Sequence, residues 1–167
     1  QGYVFECLNF AQVLKLPLLL VCENNGYGEY TPFRSVTAGE IRARAEVMEV
    51  PAETIDGMRV WTVREAAGRA LEHVRAGNGP AFVEALTYRF VGHSRSDPGA
   101  YRPEGELDDW KGRDPIVVLR LQLVAEGVNP SHLDELEQEQ ADELERMRER
   151  GLAAPFPSDL TTSEFKD

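Results

Sequence analysis

Five apolar residues in a row, Leu18-Leu19-Leu20-Val21-Cys22, run directly into Glu23-Asn24-Asn25-Gly26-Tyr27-Gly28, a cluster of loop formers. A short apolar run without alternation suits a strand whose sheet is covered by helices on both faces. Pro17 bars a preceding helix from continuing into it, since the residue before proline is pushed out of the α region. In open parallel sheets ligands bind just beyond the carboxyl ends of the strands. The loop from Glu23 to Gly28 is therefore the first place to look for a site.

The flanking segments supply the rest of such a sheet. Val4, Leu8, Ala11 and Leu14 recur at helical spacing and predict a helix over 3–14, followed by a strand over 16–22. Gln1 is not an initiator residue, and the helix opens without an N-capping side chain, so the sequence is expected to enter mid-domain. Thr37-Ala38-Gly39-Glu40 is a capping-box pattern that predicts a short helix through Met48, and 52–55 reads as a short strand. Thr62-Val63-Arg64-Glu65 repeats the capping box at the head of a helix running through Leu71 and Val74 to a stop at Gly77. The next strand is expected over 81–88. Strands alternating with helices in this way argue for βαβ units and a parallel sheet.

Periodicity disappears from Val91 to Arg113, a stretch of Gly, Pro, Ser and charge too long for an ordinary connection and of the kind that often carries function. Asp114-Pro115 restarts a helix, expected to reach Gly127. An acidic helix is predicted over 131–150, with Leu133, Leu136, Leu144 and Met147 as its apolar stripe and Gly151 as its stop, followed by a tail holding Pro155 and Pro157.

Charge and cysteine content narrow the class. The 167 residues carry 18 Lys plus Arg against 29 Asp plus Glu, a net charge of -11. That balance disfavours a nucleic-acid surface or an anionic membrane as partner. No apolar run approaches the roughly 20 residues of a membrane span. The two cysteines, Cys7 and Cys22, sit in apolar surroundings without ligand-like spacing and are expected as reduced core thiols in a cytoplasmic protein.

Two constellations carry chemistry. Asn24, Asn25 and Tyr27 offer a carboxamide and a turned main-chain carbonyl, oxygen donors suited to a hard cation such as Mg2+. The same Asn-Asn-Gly equally suits a tight turn with positive φ. The second is Tyr88-Arg89-Phe90-Val91-Gly92-His93-Ser94-Arg95-Ser96-Asp97-Pro98-Gly99. A histidine such as His93 could donate to an anionic ligand, or could simply be a solvated loop residue. Arg89, Asp97 and Arg102 are expected to order this loop by ion pairs, with solvated charges as the alternative. Gly26-Tyr27-Gly28 lacks the third glycine of a dinucleotide fingerprint. His73 and His132 fall on or beside predicted helices and are given no functional role.

Taken together, these two motifs resemble the α subunit of thiamine-diphosphate-dependent 2-oxo acid dehydrogenases (E1 components), of the pyruvate or acetoin type. The resemblance runs the length of the chain and implies the C-terminal part of one thiamine diphosphate-binding domain: an α/β core with cofactor loops over 1–127 and a C-terminal helix and tail over 128–167. It implies Asn25 (side chain) and Tyr27 (main chain) as Mg2+ ligands and cofactor-binding residues. It also implies His93 as a cofactor-binding and catalytic residue assisting acyl transfer. The family's Gly-Asp-Gly segment, whose Asp is a further Mg2+ ligand, is expected just upstream of Gln1, so the chain alone is expected to be inactive. The implied reaction is oxidative decarboxylation of a 2-oxo acid with acyl transfer to a lipoyl acyltransferase (E2). The implied partner is an E1 β subunit in an α2β2 assembly, on which the acidic helix could dock. Ser94 matches a position phosphorylated in mitochondrial members, a regulation not expected here because Asp97 to Arg102 lacks a second family phosphosite. Ser96-Asp97-Pro98-Gly99 looks more like pyruvate or acetoin dehydrogenases than branched-chain ones. The alternatives are a non-catalytic truncated scaffold piece and an unrelated α/β protein that converged on both motifs.

Overall fold

The computed structural model describes residues 2–156, so Gln1 and the tail from Pro157 onward lie outside the described residues. The chain divides into two compact units, one up to Leu119 and one from Arg120.

The first unit is built on a three-stranded parallel sheet in the order β1-β5-β4, with β1 at Leu19–Asn24, β4 at Ala52–Asp56 and β5 at Ala81–Leu86. Between β1 and β4 come a two-stranded antiparallel ribbon, β2 (Tyr27–Gly28) with β3 (Thr31–Pro32), and two short helices, α2 (Phe33–Val36) and α3 (Ile41–Glu46). The chain opens with α1 (Gly2–Val13), and α4 (Val60–Arg75) joins β4 to β5. The expected α/β fold with a parallel sheet and flanking helices is what the chain adopts.

Alternation along β5 splits the core in two. Ala81, Val83 and Ala85 pack with Ile55 and with Ala66, Ala70 and Val74 of α4. Phe82 points the other way, against Leu8 of α1, Ala45 of α3 and Val50. Leu8 and Val50 are each 1% exposed, burial that contributes roughly 1.5–3 kcal/mol per side chain. Gly77, at φ 76, ends α4 in the left-handed conformation where only glycine is free of strain, as its position in the sequence predicts.

Several expectations shift. The strand buried on both faces is β5, because it is central; β1 is an edge, and its Val21 is 59% exposed. Neither capping box forms. Helix α3 begins at Ile41, because the Glu40 carboxylate is drawn to Arg34 at 2.9 Å instead of turning back to cap, while Thr37 closes α2. Helix α4 begins three residues earlier than the Thr62 capping box predicts, after Arg59. Cys7 is exposed rather than in the core, and Cys22 is half-buried.

In the second unit α6 (Pro115–Ala125) ends and α7 spans Pro130–Ala153, capped by Asn129, whose side chain accepts from Ser131 N–H at 3.0 Å. Helix α7 passes through Gly151, since a single glycine in a long helix costs only about 1 kcal/mol relative to alanine. Arg120 pairs with Asp134 and with Glu137. The expected stripe is open: Leu144 and Met147 are 67% and 56% exposed. No helix among the described residues is long and apolar enough to cross a membrane.

Candidate functional site

At the carboxyl end of β1 the chain turns twice in succession. The Asn24 side-chain oxygen accepts from Gly26 N–H and the Asn25 side-chain oxygen from Tyr27 N–H, each at 3.1 Å. Gly26 takes φ 81, the left-handed conformation that the double turn requires. Thr87 N–H, just past β5, donates to Asn24 O at 2.9 Å and ties the turn to the central strand. Asn25 and Tyr27 thereby line a cleft of about 440 Å³, together with Thr87, Tyr88, Tyr101, Glu106 and Trp110.

The far wall comes from the stretch predicted to be irregular. It contains an unforeseen short helix, α5 (Glu106–Lys111), which starts from Gly105 in the left-handed region rather than from a capping side chain. One oxygen of Glu106 accepts both Tyr27 Oη, at 2.6 Å, and Tyr88 Oη, at 3.1 Å. Trp110 stacks on Tyr88 with ring centres 5.2 Å apart. Partial burial foremost, then the bond to Glu106, pushes the Tyr27 phenol up to about 12. Its folded value thus lies above the ordinary 10, so the contact stabilises fully below pH 10 and is lost as pH rises through about 12. Tyr27→Phe is expected to cost about 1.5–2 kcal/mol at neutral pH and to abolish the high-pH loss, as melting curves across alkaline pH would show.

The Gly92 to Arg102 loop is tied by hydrogen bonds rather than by the expected ion pairs. Asp97 accepts His93 N–H at 2.6 Å, Gly99 N–H at 2.8 Å and Tyr101 Oη at 3.0 Å. Arg102 donates to the carbonyls of Arg89, Phe90 and Val91. Arg89 donates to Glu29 O and Tyr101 Oη. Guanidinium groups bond carbonyls readily, and the carboxylate is already filled by three nearer donors. Desolvation would raise the Asp97 carboxyl, but those three donors outweigh it and hold it below its ordinary 3.8. With the folded value lowered, the tie is present above that pH and lost as pH falls through the depressed value. Proteolysis of this loop should therefore begin at acid pH before the sheet opens, and in Asp97→Asn it should occur already at neutral pH.

His93 lies in this loop and does not line the cleft with Asn25 and Tyr27. A run of edge-on rings connects them: Tyr27 to Tyr101 at 5.4 Å, Tyr101 to Tyr30 at 5.5 Å and Tyr30 to His93 at 5.9 Å. Arg89 stands 3.2 Å from His93 Nδ1. Because a guanidinium only donates, Nδ1 is the acceptor and the ring proton sits on Nε2, itself 3.7 Å from Glu29. Glu84, Tyr101 and Glu106 escaped the sequence reading, and Tyr88 stood in the His93 motif without a role. For Glu84 the signal was visible: one carboxylate inside the otherwise apolar run Ala81-Phe82-Val83-Glu84-Ala85-Leu86.

The donor set suits a hard cation held together with an anionic ligand. The Asn25 oxygen spends one lone pair on Tyr27 N–H and keeps another. No cluster of three or more His, Cys, Asp or Glu able to hold a metal occurs among the described residues. Such a site would take further oxygens from its ligand or from elsewhere.

A three-stranded parallel sheet flanked by helices places the chain in the open α/β-sheet class, whose members bind ligands beyond the carboxyl ends of the strands. The chain belongs to the dehydrogenase E1 component family, whose sequence model matches residues 1–157. It is 38% identical to the pyruvate dehydrogenase E1 component subunit alpha of Porphyra purpurea, over 99% of this chain and 49% of that protein. It is 41% identical to the mitochondrial counterpart of Dictyostelium discoideum, over 94% of this chain and 42% of that protein. To the alpha subunit of acetoin:2,6-dichlorophenolindophenol oxidoreductase of Bacillus subtilis it is 35% identical, over 95% of this chain and 48% of that protein. The chain thus spans about half the length of the curated relatives it matches.

Proposed function

We propose that this chain is the cofactor-loop half of the α subunit of a thiamine-diphosphate-dependent 2-oxo acid dehydrogenase acting on pyruvate. Its partners are an E1 β subunit and a lipoyl acyltransferase. The observation that carries this reading is the double turn after β1, which sets the Asn25 oxygen and Tyr27 in one cleft at the carboxyl end of the sheet. Similarity to pyruvate dehydrogenase α subunits favours pyruvate, and similarity to the acetoin oxidoreductase keeps acetoin as the second reading.

Asn25, through its side-chain oxygen, and Tyr27, through its main-chain oxygen, would hold Mg2+ and with it the diphosphate of the cofactor. Thiamine diphosphate, when bound, supplies the electron sink through which a 2-oxo acid loses CO2. The chain's own residues orient and protonate. His93, kept as the Nε2–H tautomer by Arg89, would serve the bound cofactor as a hydrogen-bond donor and assist transfer of the acyl group. Glu106 fixes the Tyr27 ring from one side while Asn25 fixes its N–H from the other, so the Tyr27 main-chain oxygen, already positioned, would meet a cation.

The test is reductive acyl transfer to a lipoyl domain by the full-length α subunit co-expressed with its β partner, with pyruvate and acetoin supplied in parallel. Turnover of pyruvate supports the proposal, and turnover of acetoin alone establishes the second reading. Turnover of neither, by a protein that still pairs with its partner, makes the chain a non-catalytic scaffold piece.

A further inference from the structure

Glu84 is the buried charged side chain of the sheet, 3% exposed at the heart of β5. A carboxylate withdrawn from water costs several kcal/mol unless hydrogen bonds replace its hydration, and an apolar residue would pack the position more cheaply. Both of its oxygens are engaged. Asn24 Nδ2 donates to Oε1 at 2.8 Å, and Thr54 Oγ1 donates to Oε2 at 2.9 Å. Register explains the geometry: Glu84 is flanked in the sheet by Cys22 of β1 and Thr54 of β4, and Asn24 lies two residues past Cys22 on the same face. The two bonds lead to different places. Thr54 leads only into β4, whereas Asn24 uses its other side-chain atom to accept Gly26 N–H and so opens the turn that presents Asn25.

We propose that Glu84 is the positioning residue of the cation loop, gripping the Asn24 amide so that the turn behind it aims the Asn25 oxygen into the cleft. The inference rests on the cofactor reading above. With Nδ2 held by Glu84, the Asn24 side chain cannot flip its oxygen away from Gly26 N–H, and the turn is fixed before any ligand arrives. Partners one shell removed from a metal commonly set its affinity by orienting the ligand that touches it.

The experiment is a calorimetric titration of Mg2+ at fixed thiamine diphosphate into the full-length α subunit paired with its partner, with a melting curve for each variant. Glu84→Ala and Asn24→Ala are expected to weaken Mg2+ binding about 10–100-fold. Glu84→Gln keeps a carbonyl for Asn24 and turns its NH2 toward the Thr54 hydroxyl, so it should bind close to wild type. Thr54→Val breaks the other bond and should lower the melting temperature while leaving Mg2+ affinity unchanged. Should Glu84→Ala fail to fold, Asn24→Ala decides by the same measure. Unchanged Mg2+ affinity in Glu84→Ala or Asn24→Ala, with Asn25→Ala defective, overturns the role of Glu84 and leaves the cofactor reading standing. Equal losses in Thr54→Val and Glu84→Ala, tracking the melting temperature, also overturn it, by reducing Glu84 to a structural residue. If wild type and Asn25→Ala bind alike, or neither binds, the cofactor reading itself falls and the inference falls with it.

Discussion

Gly92→Val is expected to open the loop from Gly92 to Arg102 while the sheet stays folded. A Cβ at position 92 would lie 2.3 Å from the Asp97 carbonyl oxygen and 2.8 Å from its Cβ. Backbone cannot yield by tenths of an ångström there, because Asp97 is clamped by His93 N–H, Gly99 N–H and Tyr101. Overpacking of this kind costs about 1–3 kcal/mol, comparable to what a few surface hydrogen bonds return. The clamp should therefore release rather than the core deform. Rapid proteolytic cleavage within 92–102, an almost unchanged melting temperature and a large loss of thiamine diphosphate affinity are the expected results. A loop as resistant to protease as wild type would contradict the clamp.

Glu106→Ala should cost more stability than Tyr27→Phe. Truncating the carboxylate strands two tyrosine hydroxyls at once in a partly buried cleft, whereas Tyr27→Phe removes one donor and leaves Tyr88 to the acceptor. Hydrogen bonds to charged groups contribute about 1.5–3 kcal/mol each, so a loss of about 3–4 kcal/mol is expected. The Trp110 stack on Tyr88 should loosen with it, since Glu106 and Trp110, both on α5, close the same wall. Chemical denaturation of wild type, Tyr27→Phe, Tyr88→Phe and Glu106→Ala would measure this. The two single tyrosine losses should sum to roughly that of Glu106→Ala.

What could be read from the sequence was what depends on local pattern. The apolar runs at 18–22 and 81–88 and the helical spacings between them dictated a parallel sheet. The loop formers at 23–28 placed its ligand end. What could not be read depends on contacts distant in sequence. Whether Glu40 caps a helix or pairs with Arg34, and whether Glu106 points to solvent or to Tyr27 79 residues away, is decided by packing. Strand order was equally hidden, and with it the exposure of Val21 on an edge strand. The β2–β3 ribbon and α5 are too short to leave a periodic signature. Asp97 was recognised as a loop-ordering residue but assigned the wrong partners, since charge suggests ion pairs where geometry supplies nearer N–H donors.

The central claim is that the turn after β1 holds a cation and, through it, thiamine diphosphate. It is tested most directly by titrating thiamine diphosphate with Mg2+ calorimetrically into the full-length α subunit paired with its partner, as wild type and as Asn25→Ala. Tight binding by wild type that falls by at least about a hundredfold in Asn25→Ala, with both proteins melting alike, is the predicted result. Equal affinity in the two proteins, or no binding by wild type, would contradict it.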